Sequence, residues 1–129
     1  MNILAESKKY IITNEFEVVY LKLKETNEIT IIGDFYGDPE MALISEDESL
    51  CAVCGCGIIV YYLKNPFTPY QFENNSEQWL EFGREPDKEI WITNMQFIGE
   101  NMIEIVTEKS DKIILYVKED GEIESQARW

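Results

Sequence analysis

Apolar and polar positions alternate with a period of two along most of this chain, and that period predicts β-strands. Between Glu17 and Lys24, Val19, Leu21 and Leu23 fall on one face, and Val18, Tyr20 and Lys22 on the other. A Thr26–Asn27 turn leads to a second strand over Glu28 to Ile32. Gly33 to Pro39 is dense in turn formers and predicts a loop. Met41 to Ser45 and Leu50 to Val53 read as short strands on either side of an acidic turn, Glu46-Asp47-Glu48. Ile58 to Leu63 is apolar throughout, the pattern of a strand buried on both faces. Asn65 to Tyr70, with two prolines, predicts a loop.

Ser76 to Phe82 is the one segment that predicts a helix, with Ser76 as its cap and Gly83 at the left-handed position after it. Its two turns require packing by Trp79 or Phe82. The last third predicts an up-and-down meander. Glu89 to Phe97 places Trp91, Thr93, Met95 and Phe97 on one face. Gly99–Asn101 turns the chain, and Met102 to Glu108 places Ile103 and Ile105 together. Ser110–Asp111 turns again, Lys112 to Lys118 aligns Ile113, Leu115 and Val117, and Glu119-Asp120-Gly121 ends the run. The expectation is a single domain over residues 1–129, all-β or mainly β with one short helix, an antiparallel meander of sandwich-like form. The hairpin rhythm is that of propeller blades, yet a chain of this length supplies too few blades to close a ring.

Composition sharpens the picture mainly through charge. Twenty-five acidic residues face eleven basic ones, for a net charge of −14. The excess is spread over both halves, so it is no acidic tail on a neutral domain. A field of this sign repels phosphate backbones and anionic membranes and attracts basic surfaces, which argues against nucleic-acid or membrane partners. Three Trp, seven Tyr and six Phe supply a core and argue against disorder. Met1 to Ile12 lacks the apolar region and cleavage site of a secretory signal, so a cytoplasmic protein is expected.

Histidine is absent, which removes the commonest general base and metal ligand. The chain is therefore expected not to be an enzyme and to carry no cofactor. Cys51, Cys54 and Cys56 offer three thiols without a second ligand pair. A tetrahedral zinc site needs four donors, so folding independent of zinc is expected and the cysteines read as small packed residues. Asp34, Asp38 and Glu40 do not have the spacing of a calcium loop, and turn geometry accounts for them.

Carboxylates around aromatic rings suit a basic protein partner. Two loops carry that pattern: Asp34, Phe35, Tyr36, Asp38 and Glu40 in the first, and Glu46, Asp47 and Glu48 in the second. They flank one short strand and so are expected at its opposite ends. Phe35 and Tyr36 are candidate anchors, although one of the two rings can instead close the core. Tyr70, Phe72, Trp79 and Phe82 form a second aromatic group beside Glu73, Glu77 and Glu81.

The ordered pattern Gly-Asp-Phe-Tyr-Gly-Asp-Pro from residue 33, then Ala42-Leu43-Ile44, an acidic turn, Cys51-Ala52-Val53 and Gly55-Cys56-Gly57-Ile58-Ile59-Val60-Tyr61, resembles small bacterial immunity proteins of polymorphic-toxin and contact-dependent-inhibition loci. The resemblance implies a protein that binds and blocks a basic toxin domain, such as a nuclease, by occluding its active site. The alternatives are a carbohydrate- or peptide-binding β-module, or a structural subunit of a larger assembly.

Overall fold

A computed structural model describes residues 2–74, 76–118 and 123–128, with the backbone alone at 123, 124 and 126–128. The described residues form twelve strands and no helix. The strands are β1 (Asn2–Glu6), β2 (Tyr10–Glu15), β3 (Val18–Leu23), β4 (Ile29–Asp34), β5 (Met41–Ile44), β6 (Leu50–Gly55), β7 (Gly57–Tyr62), β8 (Trp79–Phe82), β9 (Ile92–Gly99), β10 (Met102–Thr107), β11 (Lys112–Val117) and β12 (Ile123–Arg128). They make three antiparallel sheets of identical topology, β1–β4, β5–β8 and β9–β12, each running in sequence order.

The middle sheet lies between the other two, and the alternation in β6 and β7 explains why. Cys51, Val53, Ile59 and Tyr61 point into one apolar cluster, shared with Ile12, Val19, Leu21 and Ile32 of the first sheet. Leu50, Ala52, Cys54, Ile58 and Val60 point the other way, onto Ile92, Met95, Ile103, Ile105 and Leu115 of the third. Both strands are thus buried almost throughout, as the apolar run at 58–63 predicts. The first and second sheets approach most closely at β1 and β5; the third approaches through β9 against β5 and β6, and again where β12 meets β8.

The segment predicted as a helix is the edge strand β8. Ser76 Oγ does accept the Gln78 amide at 3.0 Å, the bond expected of a cap, but a strand follows it. Two turns of helix cannot outweigh the open edge of β7, which pairs with four residues here. Pairing places Trp79 beside Tyr61, with ring centroids 6.4 Å apart and planes nearly parallel. Trp79 is buried, as its aromatic bulk suggests. The long loop before β8 is held by Gln78, whose amide donates to the carbonyls of Tyr62 and Lys64 and accepts from Thr68 N–H.

The C-terminal meander is present, and Ile103, Ile105, Leu115 and Val117 are buried, with Ile113 packed against them. A fourth strand, β12, extends it; the turn expected at Glu119–Gly121 lies outside the described residues. One phase differs from expectation. A register shift opposite Val106–Thr107 makes Thr93 an extra residue, so Ile92 rather than Thr93 faces the core. β1 and β2 precede the first strand that the alternation marks. No helix of the described residues is long and apolar enough to cross a membrane.

Leu115 is fully enclosed between the third and middle sheets. Leu115→Ala is expected to lower the unfolding free energy by about 2–5 kcal/mol, measured by chemical denaturation. A loss under about 1 kcal/mol would contradict this packing.

Candidate functional site

The β2–β3 turn, the end of β4, the β6–β7 turn and the end of β8 meet at one end of the stacked sheets, where they frame an open cavity of about 290 Å³. Arg84 lies at its floor and ties the sheets together. Its Nε pairs with Glu81 at 2.7 Å. Nη1 donates to the Cys56 carbonyl at 3.0 Å, and Nη2 donates to the Asp34 carbonyl at 2.6 Å and to the Tyr70 hydroxyl at 3.2 Å. The guanidinium also lies 4.6 Å from the centre of the Phe35 ring. Tyr70 in turn donates to Glu81 at 2.5 Å, and burial followed by that bond pushes its hydroxyl pKa up. A planar fork with several donors suits this junction, where a lysine has only a point charge to offer. Gly57, at φ +81°, makes the room: a Cβ there would stand 2.1 Å from Arg84 Cγ.

The rim is a mixture of exposed rings and carboxylates. Phe35 is 4% exposed and closes the first core, whereas Tyr36 is 85% exposed. Of the two candidate anchors, Tyr36 is therefore the one that faces solvent. Phe72 joins it on the rim, carried there by the long loop, which bonds along β4 through Tyr70 N–H to the Ile31 carbonyl. Glu17, Asp34 and Glu89 are the carboxylates around these rings. Glu17 also accepts the Gly37 amide and so fixes the turn that presents Tyr36. Phe16, next to Glu17, is exposed and sits at φ 54°, a conformation unusual for a bulky residue.

The remaining acids of the first loop belong to the same end. Asp38 is exposed, and Glu40 accepts Trp91 Nε1 at 3.1 Å. Connections 34–40, 85–89 and 108–111 together hold eight carboxylates against two lysines, apart from the inward-facing Arg84.

The second loop lies at the opposite end of β5, as expected, and its acids hold structure. Asp47 accepts from the Ser45 and Ser49 hydroxyls and the Ser49 amide. The Ser49 hydroxyl is the largest influence in lowering its pKa. Glu48, at φ 57°, accepts the Ser7 hydroxyl at 2.6 Å and the Lys9 amide at 3.0 Å, which ties the middle sheet to the first. Glu46 is exposed beside a cleft of about 690 Å³ between the middle and third sheets. The two loops do not form one surface.

The three thiols point apart. Cys51 faces the first core and Cys54 the second, on opposite faces of β6. Cys56 lies beyond, bridged to Trp91. Burial pushes the Cys51 and Cys54 thiols up to about 12, so both stay protonated. Among the described residues no group of three metal-ligating side chains converges.

Of the residues around this cavity, Asp34, Phe35, Tyr36 and Phe72 are candidates named from the sequence. Arg84, Glu17 and Glu89 are not among those candidates, and Arg84 and Glu17 reach partners in distant segments. One signal was available: Arg84 is one of only two arginines in a chain whose other basic residues are all lysine. Comparison of the chain with protein-family models, curated proteins and solved structures finds no match.

The bonds to Ser7 and Lys9 hold Glu48 below its ordinary pKa of 4.5. A carboxylate with a lowered folded pKa contributes stability above its unfolded value and loses it as pH falls through the folded one. The wild-type thermal midpoint is therefore expected to drop more steeply between about pH 5 and pH 3 than that of Glu48→Gln, and the two should converge at the acid end. Parallel curves would contradict a stabilising carboxylate at Glu48.

Proposed function

We propose that this chain is a binding module for a basic protein, and that it acts as an immunity-type inhibitor that covers the active groove of a toxin domain. One observation carries the proposal: Tyr36 and Phe72 stand at a rim of three carboxylates, Glu17, Asp34 and Glu89, at an acidic end of the molecule. Ring faces attract cations, and the three carboxylates outnumber Arg84, which is already paired to Glu81 and lies 5.8 Å from the Phe72 ring, so this rim suits an inserted lysine or arginine. At about 290 Å³ the cavity is at the lower limit of small-molecule pockets, roughly 300 Å³, and is sized for a side chain. Charge of this density also accelerates encounter with a basic groove. The resemblance to immunity proteins supports the same reading, as does a sequence with no histidine.

The second loop takes a smaller part in this proposal, because Asp47 and Glu48 are engaged within the molecule. The test uses the product of the neighbouring gene, with association followed by surface plasmon resonance and protection scored in co-expressing cells. Neutralising Glu17, Asp34 and Glu89 together should slow association at least about tenfold, and raising salt past about 0.15 M should slow the wild type. Tyr36→Ala should instead speed dissociation, and Glu46→Gln should do little. An on-rate indifferent to salt, with every rim variant still protective, would overturn the proposal.

A further inference from the structure

The described large apolar side chains that are exposed fall into two groups. Phe16, Tyr36 and Phe72 belong to the acidic end. The other three, Ile3 (62% exposed), Ile29 (56%) and Ile31 (38%), share the outer face of the first sheet. Strand pairing sets that face out in rows: Ile3, Thr13, Tyr20 and Ile31 in one, and Glu6, Ile11, Lys22 and Ile29 in the next. A monomeric soluble protein rarely leaves so continuous an apolar strip open.

The third sheet ends the stack on its other side with a more polar face, on which Asn94 and Gln96 are exposed. Met102, Val106, Ile114 and Tyr116 are half-buried there, beside Glu104 and Lys112. This face borders a broad groove of about 1000 Å³. The central rows of the first face hold Glu6 and Lys22, and those of the third hold Glu104 and Lys112, with Glu124 and Arg128 of β12 in register beside them, while the chain as a whole stands at −14. Acids and bases balance in number on both.

We infer that two copies of this chain close a six-sheet ring, the outer face of the first sheet in each copy packing on the outer face of the third sheet in the other. The three sheets share one meander topology and stack face to face, with β1 against β5, β9 against β5 and β6, and β12 against β8. That is the arrangement of propeller blades, and propellers close with about four to eight of them. Three blades leave two open faces; two copies give six blades and leave none.

Area favours this pairing over a single contact. A four-stranded sheet of six-residue strands presents roughly 20 by 20 Å, so one face-to-face junction buries about 800 Å² from both partners. That is the size of a lattice contact, whereas the two junctions of a closed ring bury about 1,600 Å², a standard stable interface. The inference is independent of the binding proposal, because the acidic rim lies at the sheet ends and stays open in the ring.

Native mass spectrometry and sedimentation of the purified chain test it. Wild type should run as two chains, and association should strengthen with salt, because two copies of −14 repel until screened. Salt acts here in the opposite sense to its effect on a basic partner. Ile31→Glu and Ile114→Lys should each weaken dimerisation at least about tenfold. Lys22→Glu, a polar exchange on the first face, substitutes for Ile31→Glu where that variant loses the wild-type unfolding midpoint. An equimolar mixture of the two variants should recover dimer, since one junction of the mixed pair is unaltered and the other sets substitutions of opposite charge on its two facing sheets, so that both junctions can close. A wild type that stays monomeric at every salt and concentration would overturn the inference. So would open-ended oligomers, disruption by the first-sheet variants alone, or a mixture that remains monomeric.

Discussion

Burial of the β6–β7 pair on both faces is the constraint on which the rest of the molecule depends. A strand pair with apolar side chains on both faces needs a cover for each. The first sheet covers one face and the third sheet the other, so two apolar clusters share a single wall. The cysteines follow from the same constraint. Cys51 and Cys54 are small, apolar in behaviour, and placed where larger side chains would force the layers apart.

Stacking three sheets leaves their ends as the place where loops from different layers meet, and the polar chemistry of the molecule concentrates there. At one end Glu48 joins the middle sheet to the first. At the other, Arg84 bonds to the end of β4, the β6–β7 turn and the long loop, and holds the Phe35 ring beneath it. A largely buried guanidinium is tolerated only with hydrogen-bond partners, and each of its three nitrogens has one here. With Arg84 turned inward and paired to Glu81, the surface above it is left to Tyr36, Phe72 and the carboxylates of Glu17, Asp34 and Glu89. The acidic field and the structural staple thus occupy one place without conflict.

Much of the fold was legible in the sequence because its strands declare themselves by alternation or by unbroken apolar runs. Ile58 to Leu63 is the clearest case, and the meander from Met102 to Val117 is nearly as plain. Two kinds of information were hidden. Ser76 to Phe82 carries real local helix signals, and only the open edge of β7 decides against them. The extra residue at Thr93 shifts the alternation by one, which a regular period cannot represent. The site was half legible. Asp34 and Tyr36 sit in a loop rich in turn formers, where exposure is the default. Arg84 acquires its role only from groups up to 50 residues away.

The central claim is that the middle sheet is the most stable unit and that the first and third sheets are layers laid against it. Native-state hydrogen exchange measures this directly, residue by residue. The amides that pair β6 with β7, such as those of Cys51, Val53, Ile59 and Tyr61, are expected to exchange slowest, at the free energy of global unfolding. Amides of β1 and β4, on the outer edges of the first sheet, are expected to open earlier. Faster exchange in β6 and β7 than in either flanking sheet would contradict the account.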